Sequence, residues 1–261
     1  MICRHLLILA MVLASSVPTS AQEPLNAEMR LKAMAQRTQL LKIKFPSDEL
    51  RDPPKLLKSP VLRCNDPTRE EEDGTVWLWL DGKHPVACLC LFLVRDRWAY
   101  EHTSLTDEAM EVFGRPSWKW QPKAEARVWV TVNGAVPESA PARRREARAI
   151  ADQLVASEFH MGETYQLRLL DRPLHTYADP GHGLLDGSLF AFVYGTNPEI
   201  LLQVEAREID SGRSWRVAFA RLSSAEITVK LKDRQIWKVP PVLKFDSGEN
   251  YFAAHESDQL E

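Results

Sequence analysis

The sequence predicts an α+β fold: a tandem duplication of a helix plus antiparallel β-meander module, the two copies related by a pseudo-two-fold axis. Three observations carry that reading. First, Leu56 can be set against Leu169 without a gap. Leu56-Leu57 then meets Leu169-Leu170, Pro60 meets Pro173, Asp66-Pro67 meets Asp179-Pro180 and Asp73-Gly74 meets Asp186-Gly187. Gly82, Pro85 and Leu89 meet Gly195, Pro198 and Leu202 in the same register. Second, the register slips only at a turn around Asp210-Ser211-Gly212, after which Trp98, Leu105 and Trp120 meet Trp215, Leu222 and Trp237. Third, the helical stretches upstream match: Arg30, Ala33, Ala35, Gln39, Leu40 and Phe45 meet Arg144, Ala147, Ala149, Gln153, Leu154 and Phe159. Self-similarity at a fixed period is the mark of a repeated structural unit.

The elements follow in chain order. Arg4 and His5 precede an apolar run from Leu6 to Ala14, and small residues lead to Thr19 and Ala21. This is the pattern of a secretory signal peptide cut after Ala21. The run is shorter than the roughly 20 residues a spanning helix needs, so no membrane span is expected after cleavage. Residues 22–123 then form module 1, 124–141 a connecting segment with a strand, 142–241 module 2 and 242–261 a polar tail. In module 2, Ala147, Ile150, Ala151, Leu154, Val155 and Phe159 recur at three- and four-residue spacing, which predicts a helix from about Ala142 to His160. The matching helix of module 1 runs from about Leu25 to Ile43.

Each helix leads into strands. Short extended segments at Pro60–Cys64 and Pro173–Tyr177 come first, then loops marked by Asp-Pro and Asp-Gly. Thr75–Leu80 and Ser188–Tyr194 are rich in aromatic and β-branched residues. A Gly-x-x-Pro turn leads to Val86–Val94 and Glu199–Arg207, and a polar turn to Trp98–Ser104 and Trp215–Arg221. Arg127–Val132 is a further strand, and Glu226–Lys230 and Gln235–Val239 close module 2. In Thr75–Leu80, Trp77 and Trp79 oppose Val76 and Leu78. Phe190 and Phe192 oppose Leu189 and Ala191 in the same way. Both faces are apolar, so each strand is expected to be covered on both sides, one by its own helix and the other by the second module.

The next strand differs between the copies. Val86, Cys88, Cys90, Phe92 and Val94 make an apolar face where copy two alternates Glu199, Gln203, Glu205 and Arg207, a face that reads as wet. Burying the apolar face contributes about 5–10 kcal/mol, at roughly 1.5–3 kcal/mol per large side chain. It is therefore expected to be covered by Arg127–Val132 or the N-terminal arm, or else to line a pocket for an apolar ligand or a partner.

Composition bounds the function. In 261 residues the hydrophobic share is 44% and the charged share 26%, with a net charge of -3. Nothing there points to nucleic acid or to an anionic membrane surface. Once the signal is removed, Cys64, Cys88 and Cys90 remain. Three thiols are no disulfide framework, and whether Cys64 pairs with Cys88 or Cys90 stays open. Cys88 and Cys90 share one strand face without further ligands at zinc spacing. They read as small buried apolar residues.

Catalytic-looking groups each meet a structural alternative. Glu101, His102 and Ser104 are types used in acid–base and nucleophilic chemistry. On a strand, however, Glu101 points away from the other two, and Phe219 stands at the position of His102. His175, Asp179 and His182 sit in a Gly/Pro loop and suggest a metal, yet Asp179 matches the turn former Asp66 and neither histidine recurs. Asp73 and Asp186 precede glycine as turn formers. Arg143, Arg144 and Arg145 open the second helix, where cations are disfavoured, as an anion site or a solvated basic face. The tryptophans match between copies as core residues, except Trp118 and Trp129, the better surface candidates. There is no Gly-rich phosphate loop, Cys-x-x-Cys pair or Gly-x-Ser-x-Gly elbow.

Residues 186–199 (DGSLFAFVYGTNPE), continuing to Glu205-Ala206-Arg207, with Leu169–Tyr177 and Glu101…Ser104-Leu105, resemble an exported bacterial protein family of unknown function. The likeness covers most of the mature chain and implies export, but no activity. In that family histidines flank the Glu-x-x-Ser-Leu segment; here Tyr100 and Thr103 stand there. The expectation is an exported, two-module binding or interaction protein with no evident catalytic site, no cofactor and no metal. Its partner would be a protein or an apolar ligand, with Cys88, Cys90, Phe92, Tyr100 and His102 as candidate contacts. The alternative is an exported hydrolase using Glu101, His102 and Ser104 or the His175/His182 loop.

Overall fold

The computed structural model describes residues 26–48, 50–66, 71–94, 97–114 and 118–257. Residues 1–21, which the sequence reads as a signal peptide, lie outside that set. Among the described residues there are two α-helices, α1 (Ala27–Gln39) and α2 (Ala140–Asp152). Strands β1 (Leu41–Lys44), β2 (Lys55–Leu56), β3 (Leu62–Asp66), β4 (Glu71–Asp81), β5 (His84–Val94), β6 (Arg97–Ser104), β7 (Glu111–Gly114) and β8 (Val130–Val132) precede α2. After it come β9 (Leu154–His160), β10 (Glu163–Leu169), β11 (His175–Asp179), β12 (Leu184–Tyr194) and β13 (Asn197–Ile209). Then follow β14 (Gly212–Arg221), β15 (Glu226–Leu231), β16 (Arg234–Val239) and β17 (Tyr251–Ser257).

The expectation of an α+β tandem of helix-plus-meander modules does not hold. Strands make up 54% of the described residues and helices 13%, and one sheet is nearly closed and barrel-like. The difference begins at the helices. Both stop four to eight residues early, and the chain turns into a strand. In β9, Leu154 and Ala156 are buried while Val155 and Phe159 are about half exposed. That alternation is a strand's, although the same residues also fit a helical stripe.

All pairings are antiparallel. One sheet runs β16-β15-β9-β10-β12-β13-β14-β8, with β11 also on β12; a second runs β17-β6-β5-β4-β2, with β3 also on β4. β1 and β7 form a separate two-stranded ribbon. The two long hairpins keep one register. Trp77 pairs with Leu89 as Phe190 pairs with Leu202, and a bulge follows Trp79 as one follows Phe192. Each hairpin turns through two residues, with a positive-φ glycine first, Gly82 at +57° and Gly195 at +59°. This matches the twist of the flanking strands.

The sheets pack face to face. Val76, Leu78, Cys88, Cys90 and Phe92 share one core with Leu189, Ala191, Val193 and Leu201. On the outer side of the first sheet, Trp77, Trp79, Leu89 and Trp98 pack with Met34 of α1 and with Leu41 and Ile43 of the ribbon. On the outer side of the second, Phe190, Phe192, Ile200 and Leu202 pack with Ala147, Ile150 and Ala151 of α2. The apolar face of β5 is thus covered from within the chain, but by the other sheet rather than by the two segments expected. β8 instead extends the second sheet, pairing with β14. Nor is 242–261 only a polar tail, because β17 pairs with β6 along its length and buries Tyr251 and Phe252.

Close packing fixes two glycines. A Cβ on Gly187 would stand 2.4 Å from the Tyr177 ring, and one on Gly74 would stand 2.6 Å from the Phe92 ring.

Candidate functional site

The sequence-predicted contacts do not form one site. Cys88, Cys90 and Phe92 lie in the core between the sheets, whereas Tyr100 and His102 stand on the opposite face of β6. The three cysteines are free thiols, with 3.8 Å between the sulfurs of Cys64 and Cys90. Burial pushes the Cys88 and Cys90 thiols up, away from the reactive thiolate.

His102 is 1% exposed and packs against Trp118 and Trp120, with ring centroids at 4.9 and 5.0 Å. Burial lowers its pKa to about 3. Its Nε2 has no hydrogen-bond partner among the described residues. Glu101 points the other way and accepts from the Tyr251 hydroxyl at 2.7 Å, while the Ser104 hydroxyl donates to the Thr106 carbonyl. A carboxylate, imidazole and hydroxyl acting as a unit must lie within hydrogen-bond reach; here Glu101 and Ser104 bond other residues, and His102 Nε2 bonds none of the described residues.

The His175/Asp179/His182 loop divides as well. His182 bonds Asp179 at 2.7 Å, and His175 donates to the Lys83 carbonyl at 3.0 Å. At the start of α2, Arg143 and Arg144 approach Asp186 at 3.6 and 4.0 Å. Arg30 and Arg63 hold Asp73 in the same way at 2.9 and 2.6 Å. These arginines tie helices to sheets.

Sequence reasoning missed a polar network at the sheet–sheet boundary. Glu199, Gln203 and Glu205, read as a wet face, are buried. Glu205 accepts from Arg216 at 2.6 and 3.0 Å, from the Tyr177 hydroxyl at 3.1 Å and from His84 of the first sheet at 3.4 Å. Burial alone would raise its carboxyl; the bonds from His84 and Arg216 outweigh that and hold it at about 2. The carboxylate is therefore ionised and fully engaged, a fastener between sheets and not a proton donor. Nearby, a cleft of about 350 Å³ is lined by Lys83, His84, Tyr177 and Asp179.

The larger concavity lies at the other side of the first sheet. A groove of about 530 Å³ runs between β1 and β2, floored by Leu41, Ile43, Leu56 and Trp79. Lys42, Lys55 and Lys58 stand on its rim, exposed, and no acidic residue lines it among the described residues. The strand pattern explains why it is there. In the second sheet β10 joins β9 to β12, pairing Leu167 with Ala156 and Leu169 with Phe192. In the first sheet β2 pairs with β4 in the same manner, Leu56 against Trp79, but is only two residues long. Pro53 and Pro54 precede it. Proline has no N–H to donate to a ladder, so the strand stops short of β1. Among the described residues β1 pairs with β7 alone, and its other edge faces the groove.

No protein-family model, curated protein or solved structure matches the chain. Among the described residues, no helix is long and apolar enough to cross a membrane.

Proposed function

We propose that the chain is an exported interaction protein that binds another polypeptide at the groove between β1 and β2. The observation that carries this reading is an unpaired strand edge beside an apolar floor and three exposed lysines. Sheet edges present rows of backbone donors and acceptors, and proteins normally cover or blunt them. An apolar ligand between the sheets has less support, since Cys88, Cys90 and Phe92 are packed by the chain's own second sheet. A hydrolase has less support too, since Glu101 and Ser104 bond other residues and His102 Nε2 bonds none of the described residues. The N-terminal pattern of residues 1–21 and the resemblance to an exported family support export.

The test is site-directed photo-crosslinking in the secreted or periplasmic fraction. A photoreactive side chain at position 42 or 58 is expected to form adducts with another protein, and one at exposed Arg234 on β16 is not. Equal labelling at the three positions, or none, would remove the proposal. Export is tested separately: the N-terminus of the mature protein is expected to read from Gln22.

A further inference from the structure

Resting on that binding edge, we infer its mode and its partner's chemistry: the groove takes an extended, acidic segment of a partner protein, which adds as a strand to β1. The chain itself supplies the pattern for the occupant. β10 fills the corresponding gap in the second sheet, hydrogen-bonded to β9 on one side and β12 on the other. It is extended, and Leu167 is the residue it buries, at 4% exposed. In the first sheet the gap keeps its apolar floor of Leu41, Ile43 and Trp79, all 4% exposed or less, but among the described residues no strand fills it.

The β1 edge is four residues long, about 13 Å at roughly 3.3 Å per residue. That length suits a short segment held by backbone hydrogen bonds, with alternate side chains turned to the floor. Charge selects among such segments. Lys42, Lys55 and Lys58 are solvent-exposed on the rim without a facing carboxylate among the described residues. Lys44, the fourth lysine nearby, is already paired with Glu111 at 3.0 Å. A strand with apolar residues on one face and Asp or Glu on the other satisfies floor, edge and rim together. The lysines also disfavour a basic strand, as edge lysines do in general.

The test uses the folded mature chain and a synthetic seven-residue peptide alternating valine with glutamate. Its controls are a version with lysine for glutamate and a version N-methylated at alternate backbone amides. Binding is read by calorimetry, and amide exchange at residues 41–44 by mass spectrometry. The glutamate peptide is expected to slow exchange at 41–44 and to bind at least about tenfold tighter than either control. Lys42→Glu with Lys55→Glu, both surface changes, is expected to reverse the preference towards the lysine peptide. Equal binding of the N-methylated peptide would overturn strand addition, and equal binding of the lysine peptide would overturn acidic selection. Protection of 41–44 that rises with protein concentration, with no peptide present, would overturn the partner in favour of a second copy of the chain. Failure of every peptide while crosslinks at 42 and 58 persist would sink this inference and leave the binding edge standing. Loss of both would sink the two together.

Discussion

Two buried ionisable side chains, His102 and Glu205, contribute to how this protein responds to acid. His102 titrates near 6.5 when unfolded and at about 3 in the core. Its folded pKa is depressed, so its contribution is whole above pH 6.5 and is lost as pH falls towards 3; by pH 5 the loss is about 2 kcal/mol. Glu205 shifts from 4.5 to about 2. Its contribution is whole above pH 4.5 and is lost as pH falls towards 2, about 3 kcal/mol in all. The two windows overlap only between about pH 4.5 and 3, so of the two pH 5–7 reports on His102 alone. Thermal unfolding of His102→Phe is expected to flatten against pH between 7 and 5, where the unaltered protein declines. Glu205→Gln is expected to flatten only below 4.5. The phenylalanine should fit: Phe219 stacks on Trp237 at 5.4 Å, much as His102 stacks on Trp120 at 5.0 Å. His102 was legible as a core residue because its strand face is apolar. Glu205 was not. Whether the strand face carrying Glu199, Gln203 and Glu205 meets water depends on what lies opposite, and here that includes His84, 121 residues away on the other sheet.

At the scale of elements, local periodicity located segments better than it identified them. The hairpins β4–β5 and β12–β13 were legible from turn glycines and paired aromatic residues, down to which face each aromatic takes. The helix ends were not. Leu154, Val155 and Phe159 fit both periods, and the choice is made by β10 and β15, which flank β9 on either side. The groove was also illegible, because it arises from what Pro53-Pro54 prevent. This makes a contrast testable in one experiment. Amides of β9, paired on both edges, are expected to exchange with solvent much more slowly than those of β1, paired on one. Pro53→Gln with Pro54→Leu places the residues of Gln166 and Leu167 at the corresponding positions. It is expected to lengthen β2 towards β1, slow exchange at 41–44 and weaken binding of the glutamate peptide by about tenfold or more. Unchanged exchange at 41–44 would show that the prolines are not what holds the edge open. Gly187→Ala is a second probe of an element. Its Cβ would meet the Tyr177 ring at 2.4 Å, so a loss of about 1–3 kcal/mol is expected in chemical denaturation.

For the whole molecule, the decisive feature is that neither sheet is finished by its own half of the chain. β8 leaves the first half to pair with β14, and β17 returns after the second sheet is complete to pair with β6. The core between the sheets belongs to both. Shared burial of this kind couples the sheets into one cooperative unit, whereas units with separate cores can unfold in steps. The C-terminal strand is where this can be tested. Tyr251 and Phe252 are 4% and 8% exposed, the Tyr251 hydroxyl bonds Glu101, and Trp120 Nε1 donates to the Glu249 carbonyl. Ending the chain at Pro241 would remove these contacts and uncover the edge of β6. Two large side chains at about 1.5–3 kcal/mol each give a loss of roughly 3–6 kcal/mol. Were residues 242–261 only a polar tail, stability would not change. Were the sheets independent, only the first would weaken, and calorimetry would split into two transitions with the second at its original temperature. The shared core predicts a single transition moved down as a whole, read alike by calorimetry and by near-ultraviolet circular dichroism of the tryptophans in both sheets.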